Sequence, residues 1–489
     1  MTFQPGSVYD TFGVFASAFT EPTFRNFVSI AVGWLLCRDK HTISQSLRVG
    51  IAMGFSKDFS TLYRFFSRAR WVPDELGRLL FYQLLRFVPG QVLFVLIDDT
   101  LCKRSGPHIW GGGMHHDALA SNYGRNTSKG RHVAFAFGHS WVILALWVPL
   151  PWLPGCGVAI PILLRLYRSK RYCPKKDYSK RTTLAFSMLQ VLREWTLGTG
   201  RTVMLIGDTE YACKTVVKPL PVGVDFTGPV GMDAALFDFP PPRQKGQRGA
   251  TRMKGDQLPC PKMMAADDTI PWQKIQVPIY GRDVTILVKT VRCLWYRVSG
   301  TRPVRVVITR DPTGRLDDRA YFSTGEQASI EDVITWFARR WSLEVTFFNA
   351  KQFLGLDEPQ NGWGRRKRKP RGKKKPGPQA RGSKGRKAAE RTVPAIMYLM
   401  GLVYLWYFEH GNPGRDVAIA RSLAPWYTHK KTPSFADILM ALRLELMQSE
   451  ELSAHPVDTW VMQQSAAASC EPMVDMVGLA ERPQEMAKL

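Results

Sequence analysis

The run Trp336-Phe-Ala-Arg-Arg-Trp-Ser-Leu-Glu-Val-Thr-Phe-Phe-Asn-Ala-Lys351 spaces Phe337, Arg340, Glu344 and Lys351 by three, four and seven residues. At about 100° per residue, the four fall on one stripe of a single helix. A carboxylate flanked by two cations can present a metal ion to a phosphodiester: Glu344 holds the ion, and Arg340 and Lys351 hold phosphate oxygens. The same spacing also describes an exposed i,i+4 ion pair worth about 0.3–0.5 kcal/mol. The chemistry therefore needs further acidic partners in the chain.

Two stretches supply them. Val92-Leu-Phe-Val-Leu-Ile-Asp98-Asp-Thr100 and Val203-Met-Leu-Ile-Gly-Asp208 each run from continuous apolar residues into Asp. Such runs read as buried strands, and the carboxyl ends of strands in an α/β sheet are where side chains meet ligands. Asp98, Asp208 and Glu344 are hard oxygen donors suited to Mg²⁺, with Mn²⁺ as an alternative. Two such ions, about 3.5–4 Å apart, activate an oxygen nucleophile and stabilise the leaving oxygen of an in-line displacement. Asp99 competes with Asp98, because adjacent strand residues point to opposite faces. Asp332, Asp357 and Glu358 lack the flanking cations of Glu344.

Together the three blocks resemble one large group of bacterial insertion-sequence transposases with an RNase H-like core and a DDE carboxylate triad. That group carries a Tyr, two residues, Arg, three residues, Glu, six residues, Lys signature; here the spacing is intact and Phe337 replaces the Tyr. The block ending at Thr100 resembles the family's first catalytic strand, which closes in Asp-x-Thr and so favours Asp98 over Asp99. The block ending at Asp208 resembles the second. The resemblance spans about residues 20–410 and implies cut-and-paste movement of an insertion sequence by metal-dependent cleavage and strand transfer at terminal inverted repeats. Water and then a DNA 3′-OH would be the nucleophiles. It further implies double-stranded DNA as partner, at both element ends and target, a homodimer on DNA, and a bacterial cytoplasmic, nucleoid-associated location. A metal-dependent nuclease without strand transfer and a non-catalytic DNA-binding descendant are the rival readings.

Composition agrees with a nucleic-acid partner: 67 Lys and Arg against 41 Asp and Glu give a net charge of +26. The eight cysteines form no Cys-x-x-Cys pair, so neither a zinc ribbon nor a disulfide framework is expected. The uncharged stretch 141–164 is punctuated by Pro149, Pro151, Pro154 and Pro161, which favours a buried strand running into a proline-rich loop over a membrane span. Met1-Thr-Phe-Gln-Pro-Gly lacks the basic leader of an export signal. Gly111-Gly-Gly lacks the Lys-Ser/Thr ending of a phosphate loop, so no nucleotide cofactor is expected. His115, His116 and Asp117 behind it read as a polar loop rather than a metal cluster.

These elements predict an α/β fold: an RNase H-like catalytic core interrupted by a β-rich insertion, with an N-terminal helical domain. Residues 1–90 read as helical, either DNA-binding or a cap on the core, with 42–48 and 60–70 as groove-reading segments. The first part of the core is expected at 91–230 and the β-rich insertion at 231–325, where Trp272 and Trp295 could stack on a displaced base or pack. Residues 326–362 would carry the helix with the third carboxylate. A flexible basic arm is expected at 363–390, with Arg365, Arg366, Lys367, Arg368, Lys369, Arg371, Lys373, Lys374, Lys375, Arg381, Lys384, Arg386 and Lys387 and interleaved Gly and Pro. A helical region, 391–489, closes the chain.

Overall fold

The computed structural model describes residues 8–55, 58–105, 109–121, 133–244, 248–362 and 382–448. Five helices open it: α1 (Val8–Gly13), α2 (Glu21–Leu36), α3 (Ile43–Ala52), α4 (Phe59–Ser67) and α5 (Pro73–Leu84). Thr42 caps α3 by accepting the Gln45 N–H at 3.1 Å, and Asp58 caps α4 by accepting the Ser60 N–H at 2.9 Å. The α2–α3 approach depends on Gly33, where a Cβ would lie 2.1 Å from the Ser46 carbonyl oxygen. Apolar residues of α1–α5 join one core with the later strands and helices, so this region shares the catalytic core's interior rather than enclosing its own.

Ten strands follow: β1 (Val92–Lys103), β2 (Gly113–His116), β3 (Phe135–Pro149), β4 (Gly157–Tyr167), β5 (Thr202–Gly207), β6 (Val224–Val230), β7 (Gln273–Ile279), β8 (Arg282–Cys293), β9 (Val304–Arg310) and β10 (Arg319–Ser323). Helices α6 (Arg181–Leu197), α7 (Lys214–Val217), α8 (Pro261–Ala266) and α9 (Tyr296–Ser299) lie between them. The order is β2-β3-β1-β5-β6-β10-β9-β8-β7, with β4 also on β3. In the part β4-β3-β1-β5-β6, β1, β5 and β6 run parallel and β3 antiparallel, an arrangement consistent with an RNase H-like core.

Two expectations are corrected here. Residues 157–164, expected in a proline-rich loop, belong to β4; Pro161 is accommodated beside a register shift on a strand paired only with β3, where its missing N–H removes no ladder bond that a second neighbour needs. The first strand does not stop at Asp98, as its apolar run suggests, but continues along β3 to Lys103. The β-rich insertion extends the core sheet, β10 pairing with β6 and β9, β8 and β7 following.

Helix α10 (Ile330–Ala338) starts in a Ser329–Asp332 capping box and packs Val333 and Ile334 against Ile275, Val277, Val288 and Val307. The added strands thereby seat the segment that leads into α11 (Trp341–Leu354). Helix α12 (Gly382–His410) is mostly buried and crosses β4 and α5; α13 (Pro413–Leu423) and α14 (Phe435–Gln448) complete the described chain. By length and apolar composition α12 could cross a membrane, but burial within the fold accounts for its composition.

Candidate active site

Ile97 on β1 pairs with Gly207, the last residue of parallel β5; Asp208 follows that strand end while β1 continues through Asp98 along β3 to Lys103, so the two Asp residues lie side by side where the β1–β5 pairing stops. Asp208 is fixed by its own turn, Oδ1 accepting the N–H of Glu210 at 2.9 Å and of Tyr211 at 3.3 Å. Asp98 Oδ1 accepts its neighbour's N–H at 2.8 Å, and Oδ2 accepts from Arg340 Nη1 at 2.9 Å. Arg340 Nη2 donates to Glu344 Oε1 at 2.7 Å. One buried guanidinium thus joins the first and third expected carboxylates.

The predicted single helical stripe is broken at that residue. Arg339, Arg340, Ser342 and Leu343 each donate their N–H to the carbonyl three residues back, a tight turn separating α10 from α11. Arg339 turns over the rings of Phe94 at 3.7 Å and Trp147 at 4.2 Å, whereas Arg340 turns to the carboxylates. Phe337 stays behind on α10 and packs on Tyr321, ring centroids 4.7 Å apart. Lys351 Nζ donates to the Leu101 carbonyl at 2.9 Å, tying α11 to β1.

Burial pushes the Asp98 carboxyl well above the usual carboxylate range; Arg340 opposes the shift, and Asp208 and Asp99 add to it. Glu344 is raised by burial as well, opposed by Arg340 and reinforced by Asp208. Mutually repelling carboxylates in poor solvent are the electrostatic condition a cation relieves. The donor set, all carboxylate oxygen, fits a hard divalent ion. Among the described residues no three His, Cys, Asp or Glu converge into a ready-made cage, and Arg340 stands between two of the donors.

Asp99 points away from this junction. Its Oδ2 accepts from Ser140 Oγ at 3.2 Å and lies 3.4 Å from Arg181 Nε. Arg181 also reaches Glu210 Oε1 at 3.5 Å and stacks on Tyr167 at 4.3 Å. Sequence reading missed Arg181 and Glu210; the Asp208-Thr-Glu210 spacing was the available signal for the second, and nothing marked the first. It also missed Tyr280, which sits at φ 52° beside Gly281 at φ 73° in the two-residue β7–β8 turn, in the field of Arg340 and Glu344.

The remaining candidates separate. His115 and His116 belong to strand β2, not a loop; His115 is buried, which lowers its pKa to about 4, while Asp117 pairs with Lys103 at 2.8 Å. Trp272 lies under Lys289 and Arg310, and Trp295 packs edge-on against Phe322. On the segments expected to read DNA, Ser46 turns inward to the Ile30 carbonyl, whereas Arg48, Arg64, Arg68 and Arg70 are exposed. The arm cations from Arg365 to Lys375, and Arg381, lie outside the described residues. Lys384, Arg386 and Lys387 are on the first turns of α12 rather than in a flexible arm.

No curated protein matches the chain. A family model described as DDE superfamily endonuclease matches residues 14–299, more than half of the 489 residues. The matched stretch contains Asp98 and Asp208 and ends before Glu344, so Glu344 rests on the geometry above. With an RNase H-like sheet and two aspartates side by side on neighbouring parallel strands inside the matched stretch, the chain belongs to the DDE superfamily endonuclease family.

Proposed function

We propose that this protein is a transposase that moves an insertion sequence by metal-dependent cleavage and strand transfer at its terminal inverted repeats. The observation that carries the reading is the Asp98–Arg340–Glu344 junction beside Asp208. Asp98, Asp208 and Glu344 would hold the metal, two Mg²⁺ ions or Mn²⁺ in their place. Such ions, when bound, acidify the attacking water or 3′-OH and neutralise charge building on the phosphorus.

The chain's own residues do the positioning. Arg340 orients the two outer carboxylates, and Lys351, bound to β1, fixes α11 and with it Glu344. Both cations retain N–H donors for phosphate oxygens once DNA enters. Arg64, Arg68 and Arg70 face outward from the N-terminal helices, and the arm around residues 365–375 adds sequence-independent attraction for duplex. Two copies on paired element ends, in the bacterial cytoplasm and nucleoid, complete the reading.

The family's description as endonuclease favours one alternative, a metal-dependent nuclease that never joins ends. The test is a labelled duplex carrying an element end, incubated with a target plasmid and Mg²⁺. Cleavage together with covalent joining of the 3′ end to target is expected. Cleavage without joining selects the nuclease, and binding with neither selects a non-catalytic descendant.

A further inference from the structure

The segment between β4 and α6 is densely cationic. From Arg168 to Arg181 it reads Arg-Ser-Lys-Arg-Tyr-Cys-Pro-Lys-Lys-Asp-Tyr-Ser-Lys-Arg, seven cations against one acid. Lys170, Arg171, Lys175 and Lys180 are exposed, and the segment is pinned by buried Cys173. Among the described residues none of Arg168, Lys170, Arg171, Lys175 and Lys180 has a carboxylate partner, whereas the cations at the carboxylate centre, Arg340 and Arg181, are paired. A folded surface that spends no acid on so many cations is set against an external anion.

Its two ends meet at Tyr167, on which Arg181 stacks at 4.3 Å, so the segment joins two neighbouring features. At one end Arg181 touches Asp99 and Glu210, next to the carboxylate centre. At the other, Arg168 stacks on Trp110 at 4.7 Å with its Nε buried and without a hydrogen-bond partner. Trp110 also lies under Arg386 of α12, 5.3 Å away, and these residues line a cleft of about 330 Å³ at the open edge of β4. Arg165 and Arg386 in that cleft are committed to Asp74 and Glu390, and Asp177 also lines it, which leaves Arg168 as its uncommitted cation. Exposed Tyr172, under Arg171, adds an aromatic face to the strip.

We infer that the β4–α6 segment is a phosphate-binding strip for duplex DNA, leading from the carboxylate centre outward to the Trp110–Arg168 cleft. The number suits a polymeric anion better than a single phosphate, because one phosphate cannot neutralise five cations that have no carboxylate partner among the described residues. The inference rests on the DNA-processing function proposed above.

The test uses the full chain without divalent metal, so that cleavage plays no part. Binding of a scrambled duplex is measured by anisotropy across a salt series for the wild type and for Lys170→Ala/Arg171→Ala/Lys175→Ala, whose side chains lie outside the core. Each phosphate that the variant leaves unneutralised lowers the slope of log K against log salt by about 0.9, so a decrease of about 2 to 3 is expected. An unchanged slope with wild-type binding intact overturns the strip alone; absence of duplex binding by the wild type overturns both the strip and the function it rests on. Trypsin provides a second reading independent of the variant. Duplex DNA is expected to protect the Lys170, Arg171 and Lys175 cleavage sites of the wild type, and unaltered cleavage there overturns the strip.

Discussion

Arg340 stands between Asp98 and Glu344, 2.9 Å from one carboxylate and 2.7 Å from the other, with its own side chain almost wholly buried. Removing it leaves buried carboxylates facing one another, and loss of one partner of a buried pair costs about 3 kcal/mol or more. Arg340→Ala is expected to lose that stability in urea without metal and to regain part of it with Mg²⁺, more than the wild type gains. Equal Mg²⁺ effects on both proteins would separate Arg340 from the carboxylates proposed to hold the metal.

Asp98→Ala, Asp208→Ala and Glu344→Ala should each lower Mg²⁺-dependent cleavage by at least about 100-fold, the upper end of what loss of an outer-shell partner costs. Binding of the element end should be nearly unchanged, since it rests on other surfaces. Asp99→Ala is the comparison, because Asp99 faces Ser140 and Arg181. Cleavage retained by the Asp98 variant and lost by the Asp99 variant would move the metal site to the other face of β1.

Lys351 holds the Leu101 carbonyl, so Lys351→Met should loosen α11 against β1 by about 1.5–3 kcal/mol, the range for a hydrogen bond to a charged group. Cleavage should fall with it, and Lys351→Arg should restore part of both. A stable but inactive Met variant would assign Lys351 to phosphate alone. Phe337→Tyr should be tolerated, as the ring packs on Tyr321.

Deleting residues 365–375 should lower affinity for specific and scrambled duplexes alike. If about four to eight cations of the arm engage phosphate, the salt slope flattens by about 4 to 7 units. A loss confined to the specific duplex would make the arm a reader of sequence.

His139 gives a prediction in pH. Burial first, and Arg104 second, lower its pKa to about 3, and its Nε2 lies 2.9 Å from the Trp110 carbonyl. Its folded pKa is below the unfolded value near 6.5, so its stabilising contribution is complete above that value and is lost as pH falls toward the folded pKa. Between pH 6.5, where the unfolded imidazole is half protonated, and pH 5 the loss is about 1.6 kcal/mol. Urea unfolding at both pH values should show His139→Gln with a pH dependence weaker by about that amount; identical dependences would show that His139 is charged in the folded protein.

Much of the site was legible because strand ends and helical spacing are local properties. The apolar run stopping at Asp208 marked the end of β5, the run before Asp98 marked β1 although that strand goes on to Lys103, Thr42 marked the start of α3, and the Arg340–Glu344 spacing survived as an ion pair. The register that sets Asp98 beside Asp208, the opposite facing of Asp99 and the attachment of β7–β10 to the core sheet were decided only by tertiary structure, since strand pairing joins residues far apart in the chain. The break at Arg339–Arg340 belongs to the same class: helical periodicity continues through it, but the ring faces of Phe94 and Trp147 and the carboxylate of Asp98 draw two successive guanidiniums in different directions. Sequence alone determined which groups could do the chemistry, because donor type and charge are written residue by residue. Which of them meet was left to packing, because each meeting joins elements that only the folded core brings together.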